Sequence, residues 1–247
     1  MKITIITVCL NSSKTIGRAL RSVGSQTYKS IEHIVIDGGS KDNTLDIISS
    51  DGPHVFKLIS ESDHGIYDAM NKGIMHATGD IVGFLNADDY YANSRVLEEV
   101  SKIMLSENLD ALYGDVEFFR PNSPDKILRK YKSARFSPKK LEWGWMPAHP
   151  SLFLRKTIFD VNGKFREDFQ ISGDFEYVAR IFMHTNICYR YHPKTLVRMQ
   201  IGGASTSGWR SAVLINREIL LACRINGIKT NLFKLLLRYP IKILEYF

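Results

Sequence analysis

Acidic and amide side chains follow three apolar segments of the sequence, Ile31–Ile36, Val55–Ile59 and Ile81–Leu85. The residues after them read Asp-Gly-Gly-Ser-Lys-Asp-Asn from Asp37, Glu-Ser-Asp-His-Gly from Glu61, and Asn-Ala-Asp-Asp from Asn86. If the segments are parallel strands, their carboxyl ends meet at one edge of a sheet, and so do these side chains. Their oxygens suit Mg²⁺ or Mn²⁺, which takes its remaining ligands from water and a diphosphate. We therefore predict a divalent-cation site, with simple turn formation as the competing interpretation.

Motifs that would indicate other chemistries are absent from the sequence. No Gly-x-Gly-x-x-Gly follows the first apolar segment, and no Gly-x-x-x-x-Gly-Lys-Ser/Thr occurs anywhere. The chain also lacks His-Glu-x-x-His and any set of Cys and His residues at zinc-binding spacing. These absences disfavour nicotinamide-dependent enzymes, P-loop ATPases and zinc hydrolases. A nucleotide diphosphate held through a metal remains.

The segment from Trp143 to Pro150 contains a second tryptophan, Trp145, and a histidine, His149. Tryptophan rings can stack on sugar faces, and a histidine can bind a diphosphate or a metal. The alternative is that the indole rings belong to the core and that His149 makes only internal contacts. The sequence leaves both interpretations open.

The first half of the chain alternates two periodicities. Short runs rich in Ile and Val predict strands over Ile3–Val8 and over the three segments named above. Helical spacing between them predicts helices over Thr15–Val23, Thr44–Ser50 and Tyr67–Thr78. Strands that alternate with helices imply right-handed crossovers, so we predict an α/β fold with a mostly parallel sheet.

The second half is less regular. We predict a helix over Ser94–Glu107, a strand over Ala111–Phe119, an irregular segment over Arg120–Pro150, and another helix over Asp174–Thr185. Tyr189–Tyr191 and Leu196–Met199 resemble an antiparallel pair. The periodicity predicts two final amphipathic helices, Trp209–Asn226 and Asn231–Phe247.

Positive charge is concentrated at the end of the chain. The formal net charge is +7, and most of that excess follows Ser205. Lys234, Arg238 and Lys242 are four residues apart, so they form one basic stripe on a helix among Leu, Ile, Phe and Tyr. This pattern predicts attachment to an anionic membrane surface. The alternatives are packing against the rest of the protein and, as a runner-up, nucleic-acid binding.

Two further features of the sequence predict the cellular compartment of the protein. Three cysteines, far apart in sequence, do not form a disulfide framework and favour a reducing compartment. No apolar run approaches the roughly 18 residues that a spanning helix needs. We therefore expect a cytoplasmic protein, peripheral at the inner face of the cytoplasmic membrane.

Several of these segments resemble the inverting, family-two glycosyltransferases of the GT-A fold, especially bacterial enzymes that build surface polysaccharides. Ile5–Asn11 resembles the family's first strand and nucleotide-binding loop, and Ile36–Thr44 is similar to its Asp-Gly-Ser-x-Asp-x-Thr segment. In that segment, the leading Asp contacts the nucleobase. Gly65–Gly73 matches a helix that the family writes Gly-x-x-x-Ala-Arg-Asn-x-Gly, although Met70 replaces the Arg.

Phe84–Asp89 is similar to the family's metal-binding Asp-x-Asp, with Asn86 in place of the first Asp. The resemblance therefore implies that Asp88 is the ligand of Mn²⁺ or Mg²⁺. It also implies that the nucleotide-sugar donor contacts residues in four segments, namely Asn11, Asp37, Asp68, Asn71, Lys72, Asn86 and Ala87.

The same resemblance assigns roles in the second half. Asp174 lies where the family carries its catalytic Asp, which removes the proton of the acceptor hydroxyl; Glu176 is the competitor for this role. An acid at the start of a helix also stabilises that helix, which is the alternative. Gly202–Ser205 resembles a flexible closing segment, so Ser205 joins Trp145 and His149 as a candidate contact to acceptor or diphosphate.

The resemblance implies a GT-A-like, Rossmann-type domain over residues 1–205, with basic amphipathic helices over 206–247. Residues 1–110 would bind the nucleotide-sugar and residues 111–205 the acceptor. We expect transfer of a hexose, from UDP rather than GDP, with inversion. We expect the acceptor to be an undecaprenyl-diphosphate-linked saccharide of O-antigen, capsule or exopolysaccharide synthesis. The alternatives are a sugar-phosphate nucleotidyltransferase and a non-catalytic module that binds nucleotide or membrane.

Overall fold

The first half of the chain alternates strands and helices in a computed structural model that describes residues 1–203 and 208–239. Its elements are β1 (Ile3–Cys9), α1 (Ile16–Gly24), β2 (Ile31–Asp37), α2 (Thr44–Asp51), β3 (Val55–Ser60), α3 (Ile66–His76) and β4 (Ile81–Phe84). β1 pairs in parallel with β2 and β4, and β2 pairs in parallel with β3. Every residue of β1 is buried, as expected for a central strand of a parallel sheet.

The second half completes the sheet and adds helices. Its elements are β5 (Tyr90–Tyr91), α4 (Val96–Ser106), β6 (Ala111–Arg120), β7 (Ser123–Tyr131), β8 (Leu152–Arg155), α5 (Lys156–Asn162), α6 (Gly173–His184), β9 (Tyr189–Gln200), α7 (Trp209–Ile225) and α8 (Leu232–Leu236). The strand order is β3-β2-β1-β4-β8-β6-β9-β5, with β7 paired to β6. The α/β class predicted from the sequence is confirmed.

The sheet is mixed rather than mostly parallel. The parallel arrangement holds for β1 to β4, where helices connect consecutive strands. β8 then pairs antiparallel with both β4 and β6, and β7 pairs antiparallel with β6. The predicted irregular segment Arg120–Pro150 therefore contains a strand, followed by short 3-10 helices over Ser133–Arg135, Pro138–Trp143 and His149–Ser151.

The predicted antiparallel pair near residue 190 is wrong, because both of its segments belong to the single strand β9. This strand runs parallel to β6, and its register shifts so that Tyr113 faces Tyr191 while Asp115 faces Thr195. Pro193 lies in the resulting bulge. Since proline cannot donate to a ladder, a bulge is where a strand tolerates it.

The C-terminal helices pack into the core of the protein. Ile219, Ala222 and Cys223 of α7, together with Leu235 of α8, belong to the same buried cluster as Ile6 of β1. Within residues 1–203 and 208–239, no helix has the length and apolar character needed to cross a membrane. Part of the C-terminal segment, which the sequence predicted as separate basic amphipathic helices, therefore belongs to the core.

Candidate active site

A cavity of about 920 Å³ lies at the carboxyl edge of β1 and β4 and extends to α6 and α7. Its volume falls in the range of about 300–1,000 Å³ that is usual for small-molecule sites. Its walls include the loops after β1 and β4, the start of α3, the segment Trp145–Pro150 and the start of α6. The fold thus brings the predicted donor loops and the predicted catalytic residue to one space.

Asn11 lines this cavity and holds two loops together. Its backbone has a positive φ of 48°, a conformation that asparagine tolerates better than most residues. Its Oδ1 accepts a hydrogen bond of 2.8 Å from the backbone N–H of Lys41, and its own N–H donates to Ser40 Oγ at 2.7 Å. Asp42 also lines the cavity and accepts from the N–H of Ser13. The loop after β1 is therefore fixed by the loop after β2.

Asp37 does not line the cavity, although the sequence predicted that it contacts the nucleobase. It is fully buried, and its carboxylate accepts hydrogen bonds from the N–H groups of Gly39 and Ser40 and from the hydroxyl groups of Ser40 and Ser60. Burial raises its pKa, but these hydrogen bonds outweigh burial and lower the pKa overall. Asp37 shapes the loop, whereas Asp42 and Asp63 are the acids that reach the cavity from this side.

Three other predicted donor contacts, Asp68, Asn71 and Lys72, also lie outside the cavity wall. The Asn71 side chain is buried and joins α3 to Phe165, with which it exchanges hydrogen bonds of 2.9 and 3.0 Å. Lys72 forms ion pairs with Asp68 and Glu61. Instead, α3 faces the cavity with Ile66, Tyr67, Ala69 and Met70. Asn71 thus holds α3 against the segment at Phe165, and the contact of Asp68, Asn71 and Lys72 with the donor stays a prediction.

Asn86, Ala87 and Asp88 line the cavity directly after β4, as the resemblance implies. Burial raises the pKa of Asp88, opposed by the nearby positive charge of Arg18. The next residue, Asp89, is buried; its pKa is raised well above the ordinary value by burial and by the charge of Asp88. Asn86 donates to Asp89 at 3.3 Å, and its own Oδ1 is buried without a hydrogen-bond partner.

Arg18 of α1 is a neighbour of this acidic loop that sequence reasoning missed. Its guanidinium donates to the Asp88 carbonyl oxygen at 3.3 Å and to Gln200 Oε1 at 3.0 Å. It lies 5.0 Å from the ring centre of Tyr90 and 4.6 Å from that of Phe119. Arg18 therefore ties the loop after β4 to the end of β9 and places a positive charge behind the acids.

Asp174 lies in the first turn of α6 and lines the cavity. Its Oδ1 accepts a hydrogen bond of 2.8 Å from the N–H of Phe175 and lies 3.4 Å from the Tyr67 hydroxyl. Within the described ranges, its Oδ2 receives no hydrogen bond. Burial raises the pKa of this carboxyl to about 6. A carboxylate with one free oxygen and a raised pKa is suited to accept a proton near neutral pH.

Glu176, the competitor for that role, points away from the cavity. It is 1% exposed and forms an ion pair of 2.7 Å with Arg180. Arg180 also donates to the backbone carbonyl oxygens of Asn162 and Lys164. The two acids therefore lie in different surroundings on α6. Asp174 faces the cavity, and Glu176 pairs with Arg180, which fixes the neighbouring loop.

Glu218 of α7 fixes the segment that leads to Asp174, a role that the sequence did not indicate. Its carboxylate accepts hydrogen bonds from three successive backbone N–H groups, Gln170, Ile171 and Ser172, at 2.7, 3.0 and 2.7 Å. The Glu218 side chain is buried, so water could not take the place of its carboxylate as the acceptor for these N–H groups. No spacing rule joins Glu218 to a loop 46 residues away, so only the tertiary structure identifies this contact.

We expect Glu218→Ala to lower the free energy of unfolding by about 3 kcal/mol or more, because it leaves buried N–H groups unpaired. Glu218→Gln, which keeps one acceptor oxygen, should lose less. Urea unfolding followed by circular dichroism measures both. Glu98→Ala, at an exposed position of α4, is the control. A Glu218→Ala protein as stable as this control would contradict the assignment.

Trp145 and His149 both line the cavity, whereas Trp143 does not. The Trp145 ring is stacked with Tyr131, with ring centres 6.2 Å apart. His149 stacks on Phe84 at 5.1 Å, and burial lowers its pKa to about 4. His149 is therefore neutral at pH 7 and does not supply positive charge to a diphosphate. Ser205 lies outside the described residues.

Two residues of the predicted basic stripe, Lys234 and Arg238, contact the rest of the protein. Arg238 is 3% exposed, and Lys234 forms an ion pair with Glu142. Lys242 lies outside the described residues. α8 ends at Leu236 where the sequence predicted a longer helix, and residues 240–247 are not described. For these two residues, packing against the rest of the protein is the outcome.

The first comparison with known proteins concerns the sequence. A family model described as Glycosyl transferase family 2 matches residues 4–161, more than half of the chain. A PGL/p-HBAD biosynthesis glycosyltransferase of Mycobacterium bovis (strain BCG / Pasteur 1173P2) is 28% identical over 88% of this chain and 82% of its own length. An uncharacterized glycosyltransferase of Mycobacterium tuberculosis (strain CDC 1551 / Oshkosh) is 32% identical over 72% of this chain and 68% of its own length.

The second comparison concerns solved structures. S. aureus TarS 1-349 in complex with UDP-GlcNAc matches 90% of this chain, with a TM-score of 0.69 and 19% identity. The mannosyltransferase PcManGT of Pyrobaculum calidifontis, in complex with GDP-Man and Mn²⁺, matches 89%, with a TM-score of 0.66 and 19% identity. The chain spans 66% and 64% of these two structures. Identities this low establish the fold and not the substrates. The family model shows that the chain belongs to glycosyltransferase family 2, and the structural matches show the GT-A fold.

Proposed function

We propose that the protein transfers a hexose, with inversion, from a UDP-sugar to an undecaprenyl-diphosphate-linked saccharide during bacterial surface-polysaccharide synthesis. The observation that carries this proposal is a single cavity lined by two sets of groups. One set is the loop Asn86–Asp89 after β4, beside Asn11. The other is Asp174 at the start of α6, with a carboxylate oxygen that makes no hydrogen bond within the described residues.

The donor occupies the side of the cavity formed by residues 1–110. Asn11, Asn86 and Ala87 are the predicted contacts that line this side, and Asp42 and Asp63 join them. UDP is the preferred nucleotide because the TarS neighbour is in complex with UDP-GlcNAc, although the PcManGT neighbour holds GDP-Man. Residues 111–205 supply Trp145, His149 and Asp174 to the acceptor side.

Asp174 acts as the general base. The free oxygen of Asp174 takes the proton of the acceptor hydroxyl. At the same time the hydroxyl oxygen of the acceptor attacks the anomeric carbon from the face opposite the diphosphate. The new carbon–oxygen bond forms as the bond to the diphosphate breaks, so the configuration at the anomeric carbon inverts. Tyr67 donates to the Ile171 carbonyl oxygen and accepts from the N–H of Gly173, which fixes the start of α6.

The residues around Asp88 fit a divalent cation that takes most of its ligands from water and substrate phosphates and only a few from the protein. The described residues contain no group of three or more His, Cys, Asp or Glu that could hold a metal by themselves. Asp88 offers a carboxylate at the cavity, and Asn86 Oδ1 is an unpartnered oxygen beside it. Mn²⁺ or Mg²⁺ can bind through one carboxylate and substrate phosphates. When bound, it neutralises charge on the departing diphosphate.

The alternatives have less support. A sugar-phosphate nucleotidyltransferase needs a Gly-rich basic loop after the first strand, and Asn11–Lys14 is not one. A non-catalytic nucleotide-binding module has no use for a carboxylate with a raised pKa in the cavity. Nucleic-acid binding by the tail loses support because Arg238 is buried and Lys234 is paired.

We propose that the protein is peripheral at the inner face of the cytoplasmic membrane through α7 rather than through the predicted stripe of α8. Trp209, Val213, Arg217, Leu221 and Ile225 are four residues apart and all exposed, so they form one stripe of α7. Trp209 is 74% exposed, unusual for so large an apolar side chain. Arg210 and Arg224 are exposed in the same helix. Apolar residues with interspersed positive charge suit an anionic interface.

We expect the Trp209→Ser/Val213→Ser variant to bind vesicles of phosphatidylglycerol and phosphatidylcholine about tenfold more weakly than the unchanged protein, because it loses apolar surface that enters the bilayer interface. Sedimentation with vesicles measures the bound fraction. Val161→Ser, at a residue of α5 that is 75% exposed, is the matched control. Equal binding by both variants would exclude this face of α7 as the attachment site.

The test of the proposed function is a panel of nucleotide-sugars incubated with lipid-diphosphate-linked monosaccharides and Mn²⁺. We expect one UDP-hexose to be transferred, with the new linkage of inverted configuration by NMR. Product with retained configuration would exclude Asp174 as the base of a direct displacement. Formation of a nucleotide-sugar from sugar phosphate and nucleoside triphosphate would favour the nucleotidyltransferase.

A further inference from the structure

Arg238 is a buried cation in the C-terminal segment. Its Nη1 donates to the carbonyl oxygen of Gly144 at 3.1 Å, and its Nη2 donates to Asn216 Oδ1 at 3.0 Å. Both acceptors are neutral. Its Nε is buried and makes no hydrogen bond, and no acidic side chain forms an ion pair with Arg238 anywhere in residues 1–203 and 208–239. This guanidinium therefore keeps its charge without a counter-charge in the described structure.

An arrangement of this kind is costly unless an anion joins it. Arginine does not lose its proton in proteins, so burial cannot be relieved by neutralisation. Buried charges are normally paired because the interior solvates them poorly. Two neutral acceptors satisfy part of the hydrogen-bonding capacity of Arg238, and its Cζ lies 5.4 Å from the ring centre of Tyr239. None of these partners is negatively charged, so within residues 1–203 and 208–239 the guanidinium lacks an anionic partner.

Arg238 lines the cavity, which gives an anion access to its neighbourhood. The same cavity wall includes Gly144 and Trp145, from the segment after the 3-10 helix Pro138–Trp143, and Ile215 and Ile219 of α7. Gly144 has a φ of +71°, and a Cβ atom there would lie 2.5 Å from Arg238 Nη1. Glycine at this position therefore permits the close approach of the guanidinium to the backbone.

The position of Arg238 separates it from the donor side. The acids of the cavity on that side, Asp42, Asp63 and Asp88, come from the loops after β2, β3 and β4. Arg238 instead follows α8 and contacts Asn216 of α7, whose neighbour Glu218 fixes the loop before Asp174. Under the proposed function the acceptor lies beside Asp174, and α7 connects that side of the cavity to Arg238 through Glu218 and Asn216.

We propose that Arg238 binds a phosphate group of the acceptor, with its guanidinium as the charge partner. This inference rests on the proposed function for the identity of the two substrates. A guanidinium forms charge-assisted hydrogen bonds to phosphate oxygens, and one unpaired buried N–H is present here. Arg129 of β7 also lines the cavity, with its Cζ 4.0 Å from the ring centre of Phe118. The C-terminal segment thus becomes part of the acceptor site.

The probe for this site is decyl diphosphate, with uncharged decyl maltoside for comparison, titrated calorimetrically into the full-length protein with saturating UDP and Mn²⁺. We expect Arg238→Met to bind decyl diphosphate at least about tenfold more weakly, the usual effect of losing a charge-assisted contact. Arg238→Lys should retain part of the affinity. Lys234→Met is the control, since Lys234 belongs to the same segment and pairs with Glu142 outside the cavity wall.

Several results would overturn the proposal. They are absence of decyl diphosphate binding by the unchanged protein, unaltered affinity in Arg238→Met, or an equal loss of decyl maltoside binding. A loss of UDP affinity equal to that for decyl diphosphate would instead assign the anion to the donor. If Arg238→Met does not fold by circular dichroism, then Arg238→Lys and Arg238→Gln decide: the lysine must bind decyl diphosphate more tightly than the glutamine. If sugar transfer fails but Arg238-dependent binding persists, only the proposed function falls.

Discussion

Asp174→Asn is expected to lower turnover by about 10²–10⁴-fold while leaving UDP affinity close to that of the unchanged protein. The amide has nearly the same shape and still meets the N–H of Phe175 through its oxygen. It cannot accept the proton of the acceptor hydroxyl. Initial rates with the best donor and acceptor of the panel, together with UDP titration, measure the two effects.

The pH dependence of turnover provides a second readout of the same group. Because burial raises the pKa of Asp174 to about 6, the base is ionised above that pH. Turnover should therefore decrease as pH falls through about 6. The effect of this ionisation on the free energy of unfolding has the opposite sign to its effect on turnover: it lowers stability as it raises turnover. A carboxyl whose folded pKa is raised stabilises the fold below its ordinary pKa of 3.8, and that contribution is lost as pH rises through about 6.

It follows that Asp174→Asn removes a destabilising charge at pH 7. We expect the free energy of unfolding to increase by about 2 kcal/mol, less than the full pKa shift implies because the side chain is partly open to the cavity. Denaturant unfolding at pH 7 and pH 4 should therefore show a larger gain at pH 7. A variant that is less stable and less active at both pH values would indicate a structural role alone.

Glu176→Gln tests the competing acid. Because Glu176 pairs with Arg180, we expect this variant to be less stable than the unchanged protein and to keep the same pH profile of turnover. Asp168→Asn is the surface control, because its ion pair with Arg166 lies outside the cavity wall. If Glu176→Gln lost more turnover than Asp174→Asn, the role of base would move to Glu176.

Asp88→Ala is expected to lower turnover by about 10³-fold or more with the fold intact. Asp88 is the carboxylate best placed for a cation shared with the diphosphate, and the loss of that charge stabilisation is worth several kcal/mol. UDP titration with and without Mn²⁺ tests whether the loss of turnover comes from loss of the metal. Mn²⁺ should strengthen UDP binding by the unchanged protein and not by the variant. Asn86→Ala should be milder, since an amide is a weaker ligand for a hard cation than a carboxylate.

Asp125→Ala is the control, because Asp125 is exposed on β7 and does not line the cavity. Full activity of Asp88→Ala after treatment with a chelator would remove the metal from the proposed reaction. The same variant with strong activity in Mn²⁺ and none in chelator would instead assign the metal to other ligands, Asp89 and Asn86 being the neighbours.

The sequence by itself determined the elements whose patterns are local. The alternation of apolar runs with helical spacing predicted β1 to β4 and their helices, because buried parallel strands are continuous apolar runs. The position of Asn86–Asp89 at a strand end followed from the same rule. Asp174 was identified through a motif that opens a helix, and the structure places it at the cavity wall.

What only the tertiary structure decided depends on contacts between residues far apart in the chain. The motif around Asp37 does not say which way its carboxylate turns; in the structure its hydrogen bonds turn it into the loop, and its contact with the nucleobase stays a prediction. Likewise, no pattern in the sequence joins Glu218 to the loop before Asp174, or Arg238 to Gly144. The four-residue spacing of Lys234, Arg238 and Lys242 suggested a basic stripe, but spacing does not show what such residues contact. In the described residues Lys234 pairs with Glu142, and Arg238 is buried, as is Leu235 three residues before it.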